Sequence, residues 1–218
     1  MNRRLALMFT AVLAFSAAAS PAFQKADAQA LNGNESSPHE RCIAAKDNAT
    51  SDLAIIEYFD YQCAPCKKVN RVLHQIARDD GHIRLVFKDW PIFGGISTYA
   101  ARLGLAARYQ NKYPQAQEAL ISVSSKMTKE NVLTTLSEAG INISRLKRDL
   151  ATHQQEIEAT LADNREQAAA LGFEGTPALV IGDFRVPAVF DTANLKNFIA
   201  AVRASTRFAV CSGHRSIS

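Results

Sequence analysis

Cys63 and Cys66 are two of four cysteines in the 218-residue chain, and only two residues, Ala64 and Pro65, separate them. Two thiols at that spacing can close a small disulfide, hold a soft metal, or take part in thiol–disulfide exchange. Context narrows the choice. Immediately before them runs Leu53-Ala-Ile-Ile-Glu-Tyr-Phe59, short, apolar and rich in strand formers. Immediately after them Val69, Val72, Leu73 and Ile76 fall at i, i+3, i+4 and i+7, the stripe of an amphipathic helix. Cys63 is therefore expected at a helix N-cap, beside unpaired backbone N–H groups and the positive end of the helix dipole. A thiol of ordinary pKa near 8.5 is about 3% thiolate at neutral pH, and such a position raises that fraction. Pro65 suits the first turn, where its missing N–H costs little. Cys63 is then the attacking sulfur and Cys66 the resolving one.

Other uses of the pair compete. Zinc needs about four ligands, and although His74, Cys42 or Cys211 could join, there is no second closely spaced pair. Copper handling favours further soft ligands, and the chain has only 3 Met. An inert structural disulfide has no need of the strand-to-helix position.

The elements that must position this pair follow in order. Asp80-Gly81 ends the first helix. Ile83-Arg-Leu-Val-Phe-Lys88 reads as a second strand, closed by Trp90-Pro91. From about Ile96 to Leu171 the pattern is helical, with Ile96, Tyr99, Ala100, Leu103 and Ala106 on one apolar face and Gly172 placed to end the last helix. Thr176 to Ile181 and Phe184 to Phe190, joined by Gly182-Asp183, read as a hairpin. Asp191 or Thr192 then caps a final helix carrying Leu195, Phe198, Ile199 and Val202. The order β-α-β, helical block, β-β-α predicts one α/β fold whose four strands share a sheet, with the helical block inserted between its halves. His74 and His82 are expected at the surface, and Trp90 near the active-site end.

The ends carry address rather than fold. Asn2-Arg3-Arg4, the apolar run Leu5 to Ala19 and Ala26-Asp27-Ala28 read as a cleavable export signal over residues 1–28. The run is about 15 residues, short of the ~20 that span a bilayer, so no stable membrane insertion is expected after cleavage. Residues 29–51 read as a flexible leader, 52–204 as the domain with its insertion at about 95–172, and 205–218 as a polar tail. The net charge of +4 falls to +2 on cleavage, too weak to suggest nucleic acid as a partner. In an exported chain an even cysteine count favours disulfides. Cys42 and Cys211 flank the domain and are expected to pair, closing a long loop worth nominally ~5 kcal/mol by chain entropy.

Three blocks carry a resemblance. Phe59-Asp-Tyr-Gln-Cys-Ala-Pro-Cys-Lys67, Phe87-Lys-Asp-Trp-Pro91 and Gly172-Phe-Glu-Gly-Thr-Pro-Ala-Leu-Val-Ile-Gly182 together resemble the DsbA-like branch of the thioredoxin superfamily, over roughly Leu53 to Ala204. The resemblance implies a thioredoxin-like fold and disulfide exchange between Cys63–Cys66 and exported proteins bearing cysteines or disulfides, in the periplasm. It further implies that Thr176-Pro177 is a cis-proline loop that holds the substrate chain like an added strand, and that Glu57 is a buried acid moving protons for Cys66. No cofactor is implied. A recycling redox partner, membrane-bound or soluble, is. Ala64-Pro65 departs from the Pro-His of the strongest oxidants in the family, which implies a less oxidising disulfide. Dithiol oxidase leads. Reductase, isomerase or thiol copper carrier are the alternatives, and a leader this short argues against the separate dimerisation domain of an isomerase.

Overall fold

The computed structural model describes residues 24–25, 51–124, 126–187 and 192–212. Strand β2 (Leu53–Phe59) is the spine of the sheet. It pairs in parallel with β3 (Ile83–Asp89), from Leu53↔Ile83 to Phe59↔Asp89. On its other side it pairs antiparallel with β4 (Ala178–Ile181), from Ile55↔Ile181 to Tyr58↔Ala178. β5 (Phe184–Pro187) then pairs antiparallel with β4 across the Gly182-Asp183 turn. β1 (Gln24–Lys25) adds two residues to the free edge of β5, giving the order β1-β5-β4-β2-β3.

The helices divide by role. α1 (Ala64–Asp80) crosses from β2 to β3 and buries Cys66, Val69, Asn70, Leu73 and Ile76. Between β3 and β4 stand α2 (Gly95–Ala106), a 3-10 turn over Ala107–Gln110, α3 (Tyr113–Ile121), α4 (Lys129–Glu138), α5 (Ile143–Thr152) and α6 (Gln154–Ala170). α7 (Thr192–Ser212) closes the chain. Period-2 alternation sorts the strands between two cores. Leu53, Ile55, Phe59, Leu85 and Phe87 pack with α1 and the inserted helices, whereas Tyr58 packs on the opposite face with Trp90, Ala168, Leu171 and Phe173. This is a thioredoxin-like α/β fold, its β-α-β and β-β-α halves separated by a helical insertion.

Three readings from sequence change. The sheet has a fifth strand, β1, inside the segment read as an export signal; two residues are too short for any periodicity to reveal. A cut after Ala28 would remove it and leave four strands. The last helix runs on to Ser212, past the expected start of the tail at 205, because the sequence from 205 to 212 holds no Gly or Pro to stop it. His74 is half-buried, its ring stacked on Phe87 at 5.3 Å, and desolvation lowers its pKa. The rest of the export segment, nearly all of the leader and Cys42 lie outside the described residues; Cys211 falls in α7, with its side chain likewise outside them. Among the described residues no helix is long and apolar enough to cross a membrane.

Candidate active site

The chain leaves β2 at its C-terminal end through Asp60-Tyr61-Gln62 and enters α1 at Cys63. Cys63 is the N-cap, in extended backbone geometry, with Pro65 in the first turn. Cys63 and Cys66 form a disulfide across Cα atoms 5.2 Å apart. The Cys66 N–H donates to Cys63 Sγ at 3.1 Å, so the sulfur does the capping work usually given to a serine or aspartate oxygen. Both cysteines are buried, Cys63 to 2% exposure and Cys66 to none.

The opposite wall comes from the other half of the fold. α6 ends in a Schellman turn: Phe173 N–H donates to Ala168 O and Gly172 N–H to Ala169 O, with Gly172 at φ +68. The turn aims the chain back over the end of the sheet, where the Thr176–Pro177 peptide is cis. Cys63 Sγ lies 3.4 Å from the Thr176 carbonyl oxygen, 113 residues away in sequence. Gly172 to Ala178 line a cleft of about 330 Å³ beside it. The Thr176 hydroxyl is buried with no hydrogen-bond partner among the described residues.

Glu57 faces α1 from the middle of β2 and is completely buried. Asn70 Nδ2 donates to Glu57 Oε2 at 3.4 Å, while Oε1 has no hydrogen-bond partner among the described residues. Desolvation pushes this carboxyl up to about 8, against the smaller lowering effect of Asn70. Asn70 is four residues after Cys66, one turn along the same helix face, so the acid sits beneath the resolving cysteine's side of α1.

A second buried carboxylate behaves differently. Asp60 Oδ1 accepts from Gln62 N–H at 2.7 Å and Ser97 Oγ at 2.7 Å; Oδ2 accepts from Ile92 N–H at 2.7 Å and Phe93 N–H at 3.0 Å. Gln62 Nε2 adds bonds to Phe93 O at 3.2 Å and Ser97 Oγ at 2.8 Å. These bonds fasten the segment before Cys63 to the turn after β3. Asp89, at the end of β3, takes a 2.6 Å bond from the Tyr113 hydroxyl; burial pushes its carboxyl up to about 7. Burial likewise raises Tyr61 and Tyr113 well above the usual phenol value. Lys67 Nζ donates to Val123 O, tying the first turn of α1 to the insertion.

The structure thus gathers Cys63, Cys66, Thr176 and Pro177 at one end of the sheet, with Glu57 below. Asn70, Asp60, Gln62, Ser97 and Asp89 were not singled out from sequence. Asn70 had a readable signal, a polar residue inside the stripe Cys66, Val69, Leu73, Ile76. Among the described residues no group of three or more His, Cys, Asp or Glu is placed to hold a metal ion.

A family model described as the DSBA-like thioredoxin domain matches residues 54–203. A thioredoxin-like oxidoreductase from Silicibacter pomeroyi superposes with a TM-score of 0.71 at 32% identity, covering 82% of this chain and 99% of that one. The thiol-disulfide exchange protein alpha-DsbA2 from Wolbachia pipientis gives 0.67 at 27% identity, covering 71% of this chain and 84% of that one. The Na+/H+ antiporter NhaA 1 of Mycolicibacterium vanbaalenii matches 69% of this chain at 23% identity. The chain spans only 25% of the length of that curated relative.

Proposed function

From the premise that the chain belongs to the family of DSBA-like thioredoxin domains and is a thiol-disulfide oxidoreductase, we propose that it acts as a dithiol oxidase of exported proteins in the periplasm. A client thiolate attacks Cys63 Sγ, the Cys63–Cys66 bond breaks, and Cys66 leaves as a thiolate. Glu57, protonated at neutral pH, is the proton source for Cys66. A second client thiolate then attacks the client sulfur of the mixed disulfide and expels Cys63. The client gains a disulfide and loses two electrons; Cys63 and Cys66 gain them and await reoxidation by a redox partner. Thr176 and Pro177 hold the client chain, and the working unit begins at residue 52 and includes the whole of α7.

The Cys66 N–H bond to Cys63 Sγ at 3.1 Å carries this reading. A donor aimed at the sulfur stabilises the thiolate released on reduction, and a disulfide whose reduced form is stabilised is an oxidant. Export is supported by Arg3-Arg4, the apolar run after it and Ala26-Asp27-Ala28. The test is the Cys63–Cys66 potential, equilibrated against glutathione and read by mass-mapped alkylation. A value toward about −120 mV supports oxidation of clients, whereas one near or below about −270 mV makes the protein a reductase. Failure to exchange with glutathione at all would bring the thiol copper-carrier reading forward.

A further inference from the structure

β1 lies inside the segment that reads as an export signal, yet it is part of the sheet. Gln24 pairs with Arg185 and Lys25 with Phe184, along the side of β5 that faces away from β4. The two-residue Gly182-Asp183 turn makes Ile181 and Phe184 a hydrogen-bonded pair, so Arg185 turns its backbone N–H and C=O outward, toward Gln24. Without β1 that edge is a row of unpaired backbone groups, on which a second copy or any other extended chain can add. A protein that keeps β1 keeps this edge closed.

A signal peptidase needs small side chains at the third and the first residue before the cut, and two bonds in the sequence qualify. Ala26 and Ala28 serve a cut before Gln29; Ser20 and Ala22 serve a cut before Phe23. The two differ in reach. The apolar run ends at Ala19, so Ala22 lies three residues beyond it and Ala28 nine, with Lys25 and Asp27 between. Extended, those distances are about 10 Å and about 30 Å. The shorter one keeps the bond close to the membrane surface that holds the apolar run. We propose that the export signal is removed between Ala22 and Phe23, so that the mature chain begins at Phe23 and carries β1 as the cover of the β5 edge. This rests on the export reading above. The step is a hydrolysis: water adds across the Ala22–Phe23 peptide bond, leaving a carboxylate on Ala22 of the signal and an amino group on Phe23 of the protein. A cut before Gln29 would instead carry β1 away with the signal.

The full chain, produced with its own N-terminus in a bacterial host and recovered from the periplasm, tests this by intact mass and N-terminal sequencing. A chain beginning at Phe23 is expected. One beginning at Gln29, or anywhere beyond Lys25, overturns the proposal and leaves export standing. A chain that still begins at Met1 and stays in the cytoplasm overturns the export reading as well, a result distinct from the other. The cover is read on the same protein by hydrogen exchange. The Arg185 amide should exchange at least about tenfold more slowly than a free amide, and Gln24→Pro, which lacks the N–H that meets Arg185, should remove that protection. Exchange at the free rate in the wild type, or protection that survives in Gln24→Pro, means that β1 does not cover the edge and overturns the proposal.

Discussion

Glu57 and Asp60 are acids three residues apart in sequence and equally withdrawn from water, yet their surroundings differ in kind. Asp60, in the loop before α1, has both oxygens occupied by four donors between 2.7 and 3.0 Å. Glu57, inside β2, has one long bond from Asn70 and an oxygen with no partner among the described residues. Burial alone decides nothing about a carboxyl group. Donors that meet the charge turn the group into a fastener, and their scarcity keeps a proton on it and makes that proton available.

Removing the fastener should do most damage. Asp60→Ala leaves four donors, one in the loop before α1, two in the turn after β3 and one in α2, without their acceptor and should cost about 3 kcal/mol, read as a lower urea midpoint at unchanged slope. A loss below about 1 kcal/mol would mean that water replaces the carboxylate, and the contrast with Glu57 would collapse.

Glu57→Gln should act in the opposite sense on stability and strongly on rate. The step that releases or recaptures Cys66 should slow about 10²-fold in quenched-flow alkylation, while thermal stability rises. The pH dependence sharpens the point. Glu57 holds its proton up to about 8 when folded, against an ordinary value of 4.5, so the folded state binds the proton more tightly between those limits. Its contribution to stability is whole below about pH 4.5 and is lost as the pH rises through about 8. The gain in Glu57→Gln should therefore be larger at pH 8 than at pH 5. Asp89, pushed up to about 7, adds a similar decline in both proteins. A gain independent of pH would place Glu57's proton elsewhere.

The smallest expected effect isolates packing from charge. A Cβ on Gly104 would lie 2.7 Å from the Tyr61 hydroxyl oxygen. Gly104→Ala should cost about 1–2 kcal/mol, and much of that should return in the double variant with Tyr61→Phe, which removes the clashing atom.

The parts of this site that were legible in the sequence are those set by local spacing. The helical stripe after Cys66 and the apolar run before Asp60 located the N-cap, and Gly172 marked the end of α6 because its positive φ suits glycine. The carboxylate network was not legible. Asp60 meets Ile92, Phe93 and Ser97 across more than thirty residues, and no periodicity encodes which distant N–H a side chain will find. Glu57 was read only by resemblance, because a single acid in an apolar run fits an edge strand as well as a central one. Its burial follows from β4 pairing with β2 on the side away from β3, a choice made by chain topology. β1 and the reach of α7 to Ser212 were missed for a plainer reason: one is too short to carry a pattern, and the other lacks the apolar stripe that marked α1.

The pairing of β2 with β4 joins segments more than a hundred residues apart, and that distance sets an order of events during synthesis. Cys63 and Cys66 emerge with the first third of the chain, while their neighbour across the site, Thr176, follows only after the whole helical insertion. Until β4 docks beside β2, the two thiols have no opposing wall and belong to an unfinished polypeptide. In that interval the protein is a nascent dithiol, open to whichever oxidant reaches it first.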